Sequence, residues 1–268
     1  MLVPRDPRYH FGGDITRILS YIEIFNSLNY SVTVVCEESK VKSCYNQLED
    51  VDMVVVKRRF NRVYRVFRSL KSGLPLQVSY YTSPGIQKYL DSTNGKFDLT
   101  YVYTVRLSNY RFNDKVLLDY VDCISQHYKR KYSKWHLLYW EGVLLANYEQ
   151  AVYSRFDKFL ITSIEDKNKL SMSDLSKISV VGNAIRVSEL GEPRRVSQDK
   201  LVVCFIGKVT YAPNKEALDT LFRAIKNVPE ELRIELHIIG ASRAREYTLF
   251  NSRIVYPGFV PDIQDYLQ

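Results

Sequence analysis

The sequence lacks any apolar run of about 18 residues, so no segment reads as a transmembrane helix. Its opening, MLVPRDPRYHFGGD, has no basic stretch leading into an apolar one and does not read as a signal peptide. Cysteine is sparse. Cys36, Cys44, Cys123 and Cys204 form no CxxC pair and match no zinc-ribbon spacing, so no metal site is expected and a reduced, cytoplasmic compartment is the simplest reading. Neither a GxGxxG dinucleotide fingerprint nor a GxxxxGK[ST] loop occurs, which removes most support for nicotinamide dehydrogenases and P-loop enzymes. No aromatic-basic RNA module accompanies the basic residues, so nucleic acid is not an expected partner.

What is present is an ordinary globular composition. The 268 residues are 46% hydrophobic and 25% charged, enough to bury a core in one large domain or two smaller ones. Thirty-eight Lys and Arg against 30 Asp and Glu give a net charge of +8. That surplus permits a phosphate, an acidic lipid surface or nucleic acid without selecting among them.

Short β-branched runs alternate with amphipathic segments along the whole chain. Strands are predicted at 31–36, 52–57, 98–105, 115–121, 158–162 and 177–181, apolar on both faces as covered parallel strands are. Helices are predicted at 14–28, 41–49, 61–71, 84–92 and 164–171. The longest is predicted over about 133–154, where Leu137, Trp140, Leu144 and Tyr148 recur at helical spacing and Leu138, Leu145 and Val152 widen the stripe. This alternation predicts an α/β fold with a parallel, doubly wound sheet. A polar stretch containing Gly191 and Pro193 breaks the pattern. It divides an amino-terminal Rossmann-like domain (1–186) from a linker (187–199) and a second, partial one (200–268). The second block predicts strands at 201–206, 233–239 and 253–256, a helix at 215–226 and a helical turn near 262–267. A parallel sheet of that size exposes an edge and an apolar face, and a domain cut short is one reading of it. Leu2-Val3-Pro4 reads as the end of a first strand.

Several positions have both a chemical and a structural reading. Gly12-Gly13, between a strand end and a helix, suits backbone contact with an anion or an ordinary tight turn. Lys208 follows Gly207 at the carboxyl end of a parallel strand, where ligands collect in open α/β sheets; it neutralises a phosphate or is a solvated lysine. Asn214 stands near the cap of the next helix. Asp119 and Asp122 end strand 115–121, with His127 just beyond; such a carboxylate is a general base or a helix cap. His237, inside a strand, reads as a packed residue. Lys57, Arg58 and Arg59 with Arg62, Arg65 and Arg68, and the cluster Lys129-Arg130-Lys131, suit an acidic membrane surface, a charged acceptor or a plain solvated face.

In order and spacing these pieces resemble the retaining GT-B glycosyltransferases of the GT4 group, and among them the bacterial sugar transferases of exopolysaccharide and capsule assembly. Gly12-Gly13 with the helix and 30–35 (YSVTVV) resembles the family's opening "GG…R…L…G-hydrophobic-V-T-V-V". The segment 73–81 (GLPLQVSYY) resembles "G-x-P-x-Q-V-x-Y-Y". Asp98 to Arg106 resembles "D-x-V-hydrophobic…R", and 119–122 (DYVD) resembles "D-L-V-D". Glu141 and Tyr148-Glu149 resemble "E…YE". Ser163, Asp166 and Leu170 resemble "S…D…L". Val181-Gly182-Asn183 resembles "V-x-N-G", with Ala184 in place of the glycine. Phe205 to Asn214 resembles "F-x-G-x-x-x-Y-x-P-N", and Gly258 to Asp262 resembles "G-x-V-x-D".

The resemblance implies transfer of a sugar from a nucleotide-sugar donor to a glycan or lipid-linked acceptor, in the cleft between two Rossmann-like domains, with no bound cofactor or metal. It implies that Gly12, Gly13, Lys208 and Asn214 lie at the donor phosphates, and Arg106 and His127 on the acceptor or cleft side. Asp122 falls where many relatives carry a histidine near the reacting sugar. The Lys-Gly that follows the Gly-Arg in the family is absent here, and the segment with its paired glutamates is expected beyond residue 268. A non-enzymatic binding or partner domain is therefore the alternative reading.

Overall fold

The computed structural model describes the chain apart from residues 11, 40, 42–47, 49, 59–63, 66, 68–70, 94, 173, 185–199, 230, 241–251, 261–262, 264–265 and 267–268. The expected linker, most of the helices expected at 41–49 and 61–71, and most of the turn near 262–267 lie outside the described residues. The chain forms two compact units, Met1–Ile185 and Arg186–Gln268.

The first unit is built from α1 (Gly13–Ser27), β1 (Val32–Glu37), β2 (Val51–Val56), α2 (Leu76–Tyr81), α3 (Pro84–Ser92), β3 (Leu99–Tyr103), β4 (Lys115–Asp119), α4 (Ile124–Lys131), α5 (Leu137–Arg155), β5 (Lys158–Ile161), α6 (Ile164–Lys169) and β6 (Ile178–Val180). All strand pairs are parallel. Residues 1–3 join the two halves of the sheet. Leu2 bridges both Val35 of β1 and Val102 of β3, donating to the Tyr101 carbonyl at 2.8 Å and accepting from the Tyr103 N–H at 3.0 Å. The order across the sheet is β2, β1, residues 1–3, β3, β4, β5, β6.

The apolar runs are explained by layers on both faces. Tyr101 and Tyr103 point to the side of Ile15, Ile18 and Ile22 on α1, while Val102 between them points to the side of Ile86, Leu145 and Val152. Successive strand residues alternate faces, so a strand covered on both sides is apolar throughout.

One helix turns differently from its hydrophobic pattern. In α5 the stripe Leu137, Trp140 and Leu144 is exposed, whereas Glu141, Gly142, Leu145, Ala146, Glu149 and Val152 are buried. Two causes act together. Gly142 lets α5 approach α4 so closely that a Cβ there would lie 2.9 Å from both the Ser125 carbonyl oxygen and the Tyr128 Cβ. The two glutamates of the buried face cap other helices, as described below. Helices α2 and α4, absent from the sequence expectation, are the helices they cap.

The second unit holds β7 (Lys200–Ile206), α7 (Ala212–Lys226), β8 (Arg233–Ile239) and β9 (Ser252–Gly258), with a parallel sheet in the order β7, β8, β9. Leu218, Phe222 and Ile225 of α7 pack on Ile234, Leu236 and Ile238. Val202, Cys204 and Ile206, alternating along the edge strand β7, are exposed, as expected of a small parallel sheet.

Candidate functional site

In the first unit the carboxyl ends of β3 and β4 carry the chemistry. Both strands run into β-branched residues with positive φ, Thr104 at 67° and Val121 at 67°. Such a backbone is disfavoured for branched side chains and persists only where surrounding contacts impose it. Around Val121 they do. The Asp122 N–H donates to the Tyr120 carbonyl at 2.8 Å, closing a three-residue turn. The Val121 N–H donates to the Asp119 carboxylate at 3.0 Å, and its carbonyl accepts from the Thr162 hydroxyl at 2.6 Å. The turn lifts Asp122 off the end of the sheet.

The residue that imposes it is Asp119. Its carboxylate is 0% exposed and pairs at 2.7 Å with Arg17 of α1, itself 2% exposed. It also accepts from the Tyr101 hydroxyl at 2.6 Å. Asp119 is thus fully engaged, and its reading as a general base gives way to a structural one. Arg17 spends its remaining donors on the Val181 carbonyl at 3.0 Å, the Gly182 carbonyl at 3.3 Å and the Asn183 side-chain oxygen at 3.1 Å. One guanidinium therefore ties α1, the end of β4 and the end of β6. A buried ion pair of this kind is retained only with its hydrogen bonds satisfied, as here.

Asp122 is exposed just beyond the end of β4. Desolvation raises its carboxyl pKa, Arg106 opposes that shift, Asp166 adds to it and His127 again opposes it. The structure thus brings Asp122, Arg106 and His127 into one electrostatic neighbourhood. Arg106 follows Thr104 in the short helical turn Val105–Leu107. Its guanidinium lies over the Tyr81 ring at 5.9 Å, and its Nε is buried with no hydrogen-bond partner among the described residues. His127 is exposed on α4.

Gly12, at φ 138°, precedes α1 and Gly13 opens it, with nothing within 4 Å of the place a Cβ would take on Gly13. The nearby Asp14 pairs with Arg5. Burial raises the pKa of the Tyr103 hydroxyl, and the charges of Asp14, Asp119 and Asp122 add to the shift.

Two buried glutamates support this end of the sheet. Glu141 accepts from the N–H groups of Leu76 at 3.0 Å and Gln77 at 2.9 Å, serving the open start of α2, whose cap residue Pro75 offers no side-chain acceptor. Glu149 accepts from the Ser125 hydroxyl at 2.7 Å and the Ser125 N–H at 3.3 Å, at the start of α4. Burial pushes the Glu149 carboxyl up to about 7 against those donors.

In the second unit, β7, β8 and β9 end in positive-φ glycines: Gly207, Gly240 and Gly258. A Cβ on Gly240 would lie 3.1 Å from the Gly207 carbonyl oxygen, and one on Gly207 would lie 2.7 Å from Asn214 Nδ2. Asn214, in the first turn of α7, donates to the Lys208 carbonyl at 3.1 Å. Asn214 thus ties the start of α7 to the loop that carries Lys208, beside the glycine end of β7, with the Lys208 side chain exposed.

The basic run behaves differently from its sequence pattern. Arg58 and Arg65 converge on Glu37, at 3.2 and 2.5 Å, and Arg65 is buried. These two arginines are therefore structural; Arg59, Arg62 and Arg68 lie outside the described residues. His237 is part-buried in β8 and bonds Glu235 and Tyr266, each at 2.7 Å. Among the described residues no three His, Cys, Asp or Glu side chains group as metal ligands, and no helix is long and apolar enough to cross a membrane.

Arg17 was the principal residue that sequence reasoning missed. Its signal was a lone cation on the face of α1 that also carries Ile15, Ile18 and Ile22.

No family profile and no curated protein matches the sequence. Among solved structures the chain is similar to the lipopolysaccharide outer core galactosyltransferase WaaB in its apo form. The TM-score is 0.53 at 14% identity, over 97% of this chain and 67% of that one. The likeness is one of fold: this is a GT-B-like α/β architecture with parallel sheets.

Proposed function

We propose that this chain is a glycosyltransferase that moves a sugar from a nucleotide-sugar to a glycan or lipid-linked acceptor in bacterial surface polysaccharide assembly, with the retaining chemistry of the GT4 group. The observation that carries the reading is the glycine shelf closing β7, β8 and β9 beneath Lys208 and Asn214. Backbone free of Cβ atoms, an exposed cation and a helix start suit a diphosphate. The GT-B-like fold supports the same reading. In it the sugar's bond to the diphosphate breaks with the electron pair leaving on phosphate, a bond to the acceptor oxygen forms, and the acceptor's hydroxyl proton passes to the departing phosphate. In the second unit Lys208 offsets charge on the departing phosphate. Asp122, its proton affinity raised, stands by the reacting sugar, and Arg106 and His127 hold the acceptor side.

Calorimetric titration with UDP, GDP and CMP, together with a donor-hydrolysis assay, tests this. One of these nucleotides binds, Lys208→Ala weakens its binding by roughly 5–30-fold as expected for a lost charge-assisted contact, and Asp122→Asn suppresses turnover while leaving nucleotide affinity in place. Absence of binding by every nucleotide would leave a non-enzymatic binding domain.

A further inference from the structure

Between α3 and residues 109–111 the first unit holds a cavity of about 460 Å³, within the size range of small-molecule sites. Two struts hold its walls. The Gln87 side chain of α3 accepts from the Arg111 N–H at 2.9 Å and donates to the Arg111 carbonyl at 3.2 Å. The hydroxyl of the buried Tyr110 accepts from the Ser83 N–H and donates to the Tyr81 carbonyl, each at 2.8 Å. A cavity braced in this way is formed before any ligand arrives.

The lining is polar and has groups to spare. Ser83 stands just before α3, where a serine hydroxyl ordinarily accepts from an N–H of the first turn. Here it makes no such bond and has no other partner among the described residues, although Ser83 is 2% exposed and borders the cavity. A buried hydroxyl is costly to leave unbonded, and this one is placed to bond what enters. Asn109 gives one amide hydrogen to the Thr82 hydroxyl at 3.3 Å and keeps a second N–H and its carbonyl oxygen. Lys88, Arg111 and Arg155 border the same space against one carboxylate, Asp91, which Arg111 occupies at 3.1 Å. Lys88 has neither hydrogen bond nor ion pair among the described residues, and Arg155 turns one nitrogen to the neutral Tyr110 carbonyl at 3.1 Å. Two positive charges thus face the cavity without a carboxylate of their own.

We infer that this cavity binds an anionic sugar, a polyhydroxylated ring that carries a carboxylate or a phosphate. Ring hydroxyls, which both donate and accept, meet the Ser83 hydroxyl and the Asn109 amide, and the anionic group meets Lys88 and Arg155. An apolar ligand would strand these polar groups, and a neutral sugar would forgo both charges. The inference uses none of the residues assigned to donor or acceptor, so it and the transfer reading stand or fall separately.

The side-chain amides of Gln87 and Asn109 line the cavity and serve as its probes. Their NMR signals in the full chain are followed during titration with glucuronate, glucose 6-phosphate, glucose and inorganic phosphate. The expected result is a saturable shift of both amides with glucuronate, glucose 6-phosphate or both, at concentrations roughly tenfold or more below those needed of glucose or inorganic phosphate. Which of the two acts identifies the anionic group. Lys88→Gln weakens the binding by roughly 5–20-fold and Ser83→Ala by roughly 3–10-fold. Neither side chain bonds another among the described residues, so both variants keep the fold. Amides that stay unmoved by both anionic sugars overturn the proposal. So does glucose or inorganic phosphate acting as strongly, because the charge or the ring is then not recognised, and so does binding unaltered in both variants.

Discussion

Replacing Glu149 by glutamine tests the physical account of the buried end of the sheet. Glu149 is buried, and its pKa is raised from 4.5 to about 7, chiefly by desolvation. In the unfolded chain the same carboxyl regains its ordinary value. Between pH 4.5 and 7 the folded protein therefore holds a proton that the unfolded one has released. Stability falls as pH rises through that window, because the folded state is then the one binding more protons. The contribution is fully present below pH 4.5 and gone above about 7. A displacement of about 2.5 pH units, at about 1.4 kcal/mol each, corresponds to about 3.5 kcal/mol, of which roughly 2–3 kcal/mol is lost between pH 5 and pH 8. Glutamine has the shape of the protonated acid without its titration. Urea unfolding of both proteins at pH 5, 6, 7 and 8 should show the native chain losing that much stability relative to Glu149→Gln as pH rises. Ser125→Ala, which deletes the hydroxyl donor that favours the charged form, should carry the window to higher pH. Parallel stability curves, or a difference of the opposite sign, would show that burial does not govern this carboxyl.

Two further substitutions probe the frame. Arg17→Met strands the Asp119 carboxylate without its counter-charge and should cost about 3–5 kcal/mol in urea unfolding. Asp119→Asn should cost less because it keeps an oxygen for the Val121 N–H, and a loss below about 1 kcal/mol for Arg17→Met would remove the node assigned to it. Gly142→Ala inserts a methyl against the Ser125 carbonyl and the Tyr128 Cβ. It should lower the unfolding free energy by about 1–3 kcal/mol, read as a drop in Tm; an unchanged Tm would mean that α4 and α5 have slack between them.

The architecture was legible because a covered parallel strand needs apolar residues on both sides, and those runs stand out in the sequence. Helix α3 matches its expected range of 84–92, where Pro84 opens it and Ile86 and Leu90 face the core. In helix α5 part of the expected stripe is buried, Leu145 and Val152 in the core with Tyr148 packed against it, while Leu137, Trp140 and Leu144 are exposed. The buried face also carries a glycine and two carboxylates, whose partners are N–H groups distant in sequence. The positive φ at Thr104 and Val121 left no sequence mark, since nothing in a β-branched residue announces a turn. Asp122, Arg106 and His127 could be named individually, but their convergence depends on how β3, β4 and α4 end. The motif Val181-Gly182-Asn183 became intelligible through Arg17, which binds all three of its residues.

The central place of residues 1–3 bears on how the first unit folds. Leu2 has no neighbour until strand 32–37 is present on one side and strand 99–103 on the other. The halves of the sheet are thus joined by pairings that skip about thirty and about a hundred residues, each demanding closure of a long loop before it returns any stabilisation. Assembly of this unit is consequently a late, cooperative event, and anything that delays the middle of the sheet leaves two open parallel edges in search of a partner.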